Sequence, residues 1–201
     1  MASTKSQLFD VEHQLTFYGA YHHNSVNVAI HMICVPLLLW TFSAMATTLP
    51  TPSWFPSIHQ QFGPYLLFEL NWASVHAILY WLYYLALEPV ATLLYTPQLA
   101  LQTLSAIAYV KSGPDHLKQA ALLHGVSWIA QFIGHGAAEK RAPALLDNLL
   151  GAVVLAPFFV HLEYLFKLGY RRDLQKKLDQ QVEAELARIK GQEKDVGKKQ
   201  L

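Results

Sequence analysis

The chain is poor in charge. Asp, Glu, Lys and Arg make up 14% of its 201 residues, against 53% hydrophobic ones. Between Lys5 and Lys111 there is no lysine or arginine, and the only acids there are Asp10, Glu12, Glu69 and Glu88. So long a stretch with so few charges suits lipid better than water, and an integral membrane protein is expected. A net charge of +1 offers nothing to nucleic acid. The single Cys34 excludes an internal disulfide. The polar first 27 residues hold no apolar run, so no cleaved signal peptide is expected. Also missing are H-E-x-x-H, G-x-S-x-G, a P-loop and G-x-G-x-x-G, which leaves zincin protease, serine hydrolase, nucleotidase and Rossmann oxidoreductase unsupported.

Five apolar stretches are present, at 28–49, 64–87, 90–110, 120–138 and 149–168. Most approach the roughly 20 residues that cross a hydrocarbon core. Pro89 would kink or end the helix before it. The link around 48–64 is rich in proline and aromatics and suits a loop with Trp54 and Phe55 at an interface. These features predict an all-α, polytopic membrane bundle of about four to five apolar helices, with residues 1–170 as one membrane-embedded domain. Leu174, Leu178, Val182, Leu186 and Ile189 recur at helical spacing among charges, so 171–201 reads as an amphipathic helix followed by a disordered charged tail. Basic residues cluster at Lys140–Arg141 and at 167–177. The positive-inside rule would place both clusters on one side, so 149–168 is either re-entrant or an exception to that rule. The closing KKQL resembles a retrieval signal, with a solvated tail as the plainer reading.

"YHHNSVNVAIH", residues 21–31, crowds histidines against the first apolar stretch. His22 and His31 are nine residues apart, about two and a half helical turns, and would face opposite ways on one continuous helix. They can share a ligand only if the chain turns between them, and Asn24 and Ser25 are suited to end such a turn and cap a new helix. Asn27 and His31 then share a face.

A second polar stripe answers the first. At 100° per residue His124, Trp128, Gln131, His135 and Glu139 fall on one face, and Gly134 and Gly136 let another backbone or a ligand approach His135. His135 and Glu139, at i and i+4, suit two ligands to one metal, or a ligand and a carboxylate that orients it. For His22, His31 and His135 two readings stand side by side: core histidines bonding carbonyls, or metal ligands. His23 is the adjacent candidate, His124 suits packing, and His76 pairs on paper with Glu69 as a reserve ligand. His13, His59 and His116 read as solvated, and His161 with Glu163 is ambiguous. A thiolate-free histidine site suits Zn, Fe, Cu or Ni. The histidines are too scattered for the paired boxes of membrane di-iron enzymes, so a mononuclear non-haem iron site is the economical choice. A scaffold with hydrogen-bonded histidines and a histidine-ligated haem protein are the alternatives. Arg141, whose planar fork can grip a carboxylate, is a candidate substrate anchor.

Two segments carry a family resemblance. Tyr-x-x-x-His-x-x-x-x-Asn-x-x-x-His is met by Tyr18, His22, Asn27 and His31. Gly-His-x-x-x-Glu-Lys-x-x-Pro-Ala is met by Gly134, His135, Glu139, Lys140, Pro143 and Ala144. Over roughly residues 8–170 the chain resembles the fungal endoplasmic-reticulum 2-hydroxy fatty acid dioxygenases of phytosphingosine breakdown. The resemblance implies Fe(II)-dependent α-oxidation of a 2-hydroxy fatty acid with dioxygen, in the endoplasmic-reticulum membrane. His22, His31 and His135 would hold Fe(2+), Glu139 would be catalytic, and Asn27 would join Arg141 in binding substrate.

Overall fold

The structure is a computed structural model that describes residues 9–139 and 149–199, and those residues are mostly helical. Helix α1 (Val11–Tyr21) is capped by Asp10, whose side chain accepts the His13 N–H, and it stops at His22. Asn24 then caps α2 (Ser25–Thr47) by accepting the Val26 N–H at 2.9 Å. The turn expected between His22 and His31 is therefore present, with the expected capping residue.

The second apolar stretch does not begin as helix. Strands β1 (His59–Gly63) and β2 (Leu66–Glu69) pair as an antiparallel hairpin, and α3 (Trp72–Leu87) starts only after Asn71, whose side chain caps it. Gly63 has φ +146, a conformation that suits glycine at the hairpin turn, and Pro64 follows it. Glu69 on β2 pairs with Lys111 (2.9 Å) and His59 (3.1 Å). The Glu69–His76 pair expected from helical spacing is thus replaced, because Glu69 is not on that helix.

Glu88 ends α3 and caps α4 (Pro89–Lys111), accepting the Ala91 N–H at 2.6 Å, with Pro89 in the first helical turn. Helix α5 (His116–Ile133) passes into a π-helical turn, Gly134–Glu139. Helix α6 (Leu149–Lys167) and the long α7 (Arg172–Lys199) complete the chain. At their junction Gly169 (φ +88) and Arg171 (φ 40) turn the path, and Val153–Lys167 and Arg172–Ile189 meet at 120°. Arg171 is held by Glu88 at 3.0 Å.

One buried cluster joins the helices: Tyr18 of α1, Tyr84 of α3, Tyr95 of α4, Phe158 and Leu162 of α6, and Leu174 and Leu178 of α7. Helix α7 therefore packs its apolar stripe on α1. Lys177 pairs with Glu12 at 2.6 Å, and Thr16 donates to Gln181 at 2.9 Å.

Among the described residues one helix, Ser25–Thr47, is long and apolar enough to cross a membrane, or two if the bent pair counts as one span. The expected four to five crossings are not supported. The hairpin shortens α3 to 16 residues, and α4 carries Thr92, Thr96, Gln98, Gln102, Thr103 and Ser105 along its length.

Candidate metal centre

Three histidines from three segments converge. His22 ends α1, His31 lies in the second turn of α2, and His135 is in the π turn. Their ring centroids are 4.4 Å (His22–His31), 4.8 Å (His22–His135) and 4.9 Å (His31–His135) apart, with ring planes 70–81° to one another. One ring nitrogen from each lies within 4.8 Å of the other two, and His31 and His135 are each 4% exposed.

Backbone chemistry orients two of these rings. The last carbonyls of a helix lack intrahelical partners, and Tyr18 O, one turn before the end of α1, meets His22 Nδ1 at 2.9 Å. His31 Nδ1 meets Asn27 O at 3.0 Å. Each Nδ1 must donate to its carbonyl, so each Nε2 carries the lone pair and faces away from the helix that holds it. Burial, with His31 nearby, drives the His22 imidazole well below its ordinary pKa, against the opposing pull of the Tyr18 carbonyl. It is therefore neutral at pH 7, the form that binds metal. His135 Nδ1 is buried with no hydrogen-bond partner among the described residues, and a buried ring nitrogen left unpaired is costly unless something binds it. Three neutral imidazoles with one nitrogen unsatisfied fit a divalent transition metal.

Glu139 stands behind the histidines, outside the group that could hold an ion. Its Oε1 accepts the N–H groups of His23 and Asn24, each at 2.7 Å, and Asn27 Nδ2 at 3.2 Å. An anion just ahead of the N-terminus of α2 is favoured by the helix dipole as well as by the hydrogen bonds. Asn27 is 0% exposed and does not line the cavity described below. Gly134 permits the close approach: a Cβ there would lie 2.6 Å from Asn27 Oδ1, whereas one on Gly136 would meet nothing within 4 Å. Only the first glycine serves packing. Lys140 and Arg141 lie outside the described residues.

A cavity of about 260 Å³ leads away from the triad between α2 and α5. Its walls follow α2 from His31 through Val35 and Leu38 to Phe42, and α5 from His135 back through Gln131 and Trp128 to His124. At 1.5 Å per residue that is roughly 16 Å. At the far end hydrogen bonds tie α2 to α5. Trp128 Nε1 donates to His124 Nε2 at 3.0 Å, so the His124 proton is on Nδ1 and goes to Thr41 Oγ1 at 2.8 Å, whose own hydroxyl reaches Leu37 O at 2.8 Å. His124 is a packing histidine. His76 also sits at this end, against Tyr80 and Phe42, with Nδ1 buried and unpartnered. His161 bonds Ala91 O at 3.2 Å, and His116 stacks on Tyr109. Sequence reasoning placed Gln131 on the right face but assigned it nothing. It also missed the clamp made by Glu139, for which the wide turn over two glycines was the available sign.

Residues 8–168 match the family described as 2-hydroxy-palmitic acid dioxygenase Mpo1-like. The chain belongs to this family. It is also 37% identical over 181 residues, 88% of this chain and 91% of the relative, to the 2-hydroxy-palmitic acid dioxygenase MPO1 of Saccharomyces cerevisiae. No solved structure matches it. Membership supports a 2-hydroxy fatty acid dioxygenase, an oxidoreductase, and the three histidines are the group among the described residues that could hold its metal.

Proposed function

We propose that this family member is an Fe(II)-dependent dioxygenase that removes one carbon from 2-hydroxy fatty acids in sphingolipid breakdown, at the endoplasmic-reticulum membrane. The observation that carries the reading is the triad of neutral histidines at the head of a long, mostly apolar cavity. 2-Hydroxypalmitate and dioxygen balance pentadecanoate, carbon dioxide and water, so the substrate supplies all the electrons and no nucleotide cofactor is needed.

Bound iron would supply the one-electron chemistry by which dioxygen attacks a closed-shell acid. The chain supplies the rest. His22 and His31, aimed by the Tyr18 and Asn27 carbonyls, would hold the metal together with His135. Glu139 and Asn27 keep the three segments in register. Val35, Leu38, Leu39, Phe42 and Phe132 give the acyl chain an apolar lining. Outward-facing Leu79, Leu93, Ile129 and Ile133, each 59–60% exposed, suit contact with lipid, from which so apolar a substrate would arrive. Arg141 is proposed to attract the carboxylate, and Arg141→Lys should then raise KM with iron content intact.

The deciding experiment is anaerobic Fe(II) loading of the purified chain, then oxygen and 2-hydroxypalmitate. Pentadecanoate and carbon dioxide in equal amounts, without a haem spectrum, support the reading. Absence of product from protein with iron bound would refute it.

A further inference from the structure

Besides the ring nitrogens of His76 and His135, two polar groups lining the cavity have no partner among the described residues. Gln131, 6% exposed, lies one helical turn before His135, and its Nε2 is buried and unsatisfied. Tyr18, 3% exposed, stacks on the His22 ring with centroids 3.9 Å apart and on Phe159 at 3.9 Å, and its hydroxyl is also buried and unsatisfied. Both line the same cavity as the triad. A buried donor without an acceptor is unfavourable, and two beside one metal centre call for one explanation. The cavity lining includes no Lys, Arg, Asp or Glu among the described residues. A divalent cation held by three neutral imidazoles leaves its whole charge uncompensated, so an acid bound there meets positive charge already. What it lacks is donors for the carboxylate lone pairs that the metal does not take. His76, the other unpartnered histidine in the lining, is beside Phe42 at the far end and cannot serve the head.

We propose that the Gln131 amide and the Tyr18 hydroxyl are the substrate-head anchor, donating hydrogen bonds to the carboxylate of the 2-hydroxy acid and orienting it at the triad. The proposal rests on the substrate assignment above. Neutral donors suit a buried position beside the metal, where a second cation would have to be desolvated and would repel it; the attraction proposed for Arg141 would add to these bonds and is tested separately by KM. The acyl chain then has one way to run, along α2 toward Phe42.

The test is binding rather than turnover. Full-length protein loaded with Fe(II) and kept free of oxygen is titrated with 2-hydroxypalmitate, palmitate and 1-chlorohexadecane, which share a chain and differ in the head. Gln131→Met should weaken both acids roughly tenfold or more, as expected for bonds to a charged group, and leave the chloroalkane unchanged at equal iron content. Tyr18→Phe, which keeps the ring stack and removes one oxygen, should show the same pattern and serves if Gln131→Met does not fold. Equal loss for all three probes would mean damaged packing and overturn the anchor, as would acid affinities unchanged in both variants. Wild-type protein that binds the acids no better than the chloroalkane would instead overturn the substrate assignment, and the anchor with it.

Discussion

The Glu139 carboxylate lies 2.7 Å from the backbone N–H of Asn24, 115 residues earlier in the chain. The same oxygen takes the His23 N–H and the Asn27 amide, so one atom ties the loop after His22, the first turn before His31 and the segment bearing His135. Glu139→Ala would leave three donors unsatisfied and should cost about 3 kcal/mol of stability together with most of the bound metal. Glu139→Gln keeps an acceptor oxygen and should cost about 1 kcal/mol. Thermal melts with and without iron distinguish this from direct ligation, where Gln would lower metal affinity without lowering the stability of the metal-free protein.

His22→Ala, His31→Ala and His135→Ala should each abolish iron binding and turnover while the protein remains at normal abundance. Iron content on purified variants is the readout. A folded variant that keeps stoichiometric iron would remove that residue from the ligand set.

The two glycines around His135 should respond oppositely. Gly134→Ala places a methyl 2.6 Å from Asn27 Oδ1 and should destabilise by about 1–3 kcal/mol, with loss of iron. Gly136→Ala meets open space and should change melting by less than about 1 kcal/mol. Equal behaviour in denaturant titrations would contradict the packing described for Gly134.

Removing residues 171–201 should unfold more than a tail. Leu174 and Leu178 belong to the main core, and a Cβ on Gly19 of α1 would lie 2.7 Å from Val182 Cγ2. Stripping α7 exposes the helix that ends at His22, so the truncated chain should lose iron as well as thermal stability. A truncated chain that binds iron like the full one would show that α7 is dispensable to the site.

Phe42 lines the far end of the cavity with His76, Tyr80 and His124. Phe42→Ala removes that wall and should shift the kcat/KM optimum toward 2-hydroxy acids a few carbons longer, each added methylene gaining up to about 0.8 kcal/mol of burial. An unshifted chain-length profile would mean the chain leaves by another route.

Low pH should loosen the hairpin. Burial would raise the Glu69 carboxyl, but Lys111 and His59 outweigh it and hold the group below its ordinary value. Its contribution is therefore complete above the unfolded pKa of about 4.3 and is lost as pH falls through the lower folded value. Because Glu69 is partly exposed, the effect is at most a fraction of a kcal/mol, readable as a larger loss of β1–β2 amide protection from neutral to acid pH in wild type than in a Lys111→Met control, after correction for intrinsic exchange rates.

Some of this site follows from local chemistry, and local chemistry is legible in sequence. Asn24 caps α2 because a short amide side chain reaches the N–H two residues on, whatever the rest of the chain does. That turn is what lets His22 and His31 meet. The stripe His124, Trp128, Gln131, His135 is a matter of helical period alone, and all four line one cavity. Pro89 separates α3 from α4 because it lacks an N–H. Other features belong only to the assembled chain. Residues 64–70 are apolar enough for helix, but pairing with β1 and the Lys111 ammonium on Glu69 make part of them a strand, and no local pattern announces a partner from the end of α4. Glu139, at helical spacing from His135, reads as a second ligand or as a carboxylate that orients the ring. Its charge goes instead to N–H groups more than a hundred residues away, a pairing that exists only once Gly134 has let the π turn settle on Asn27.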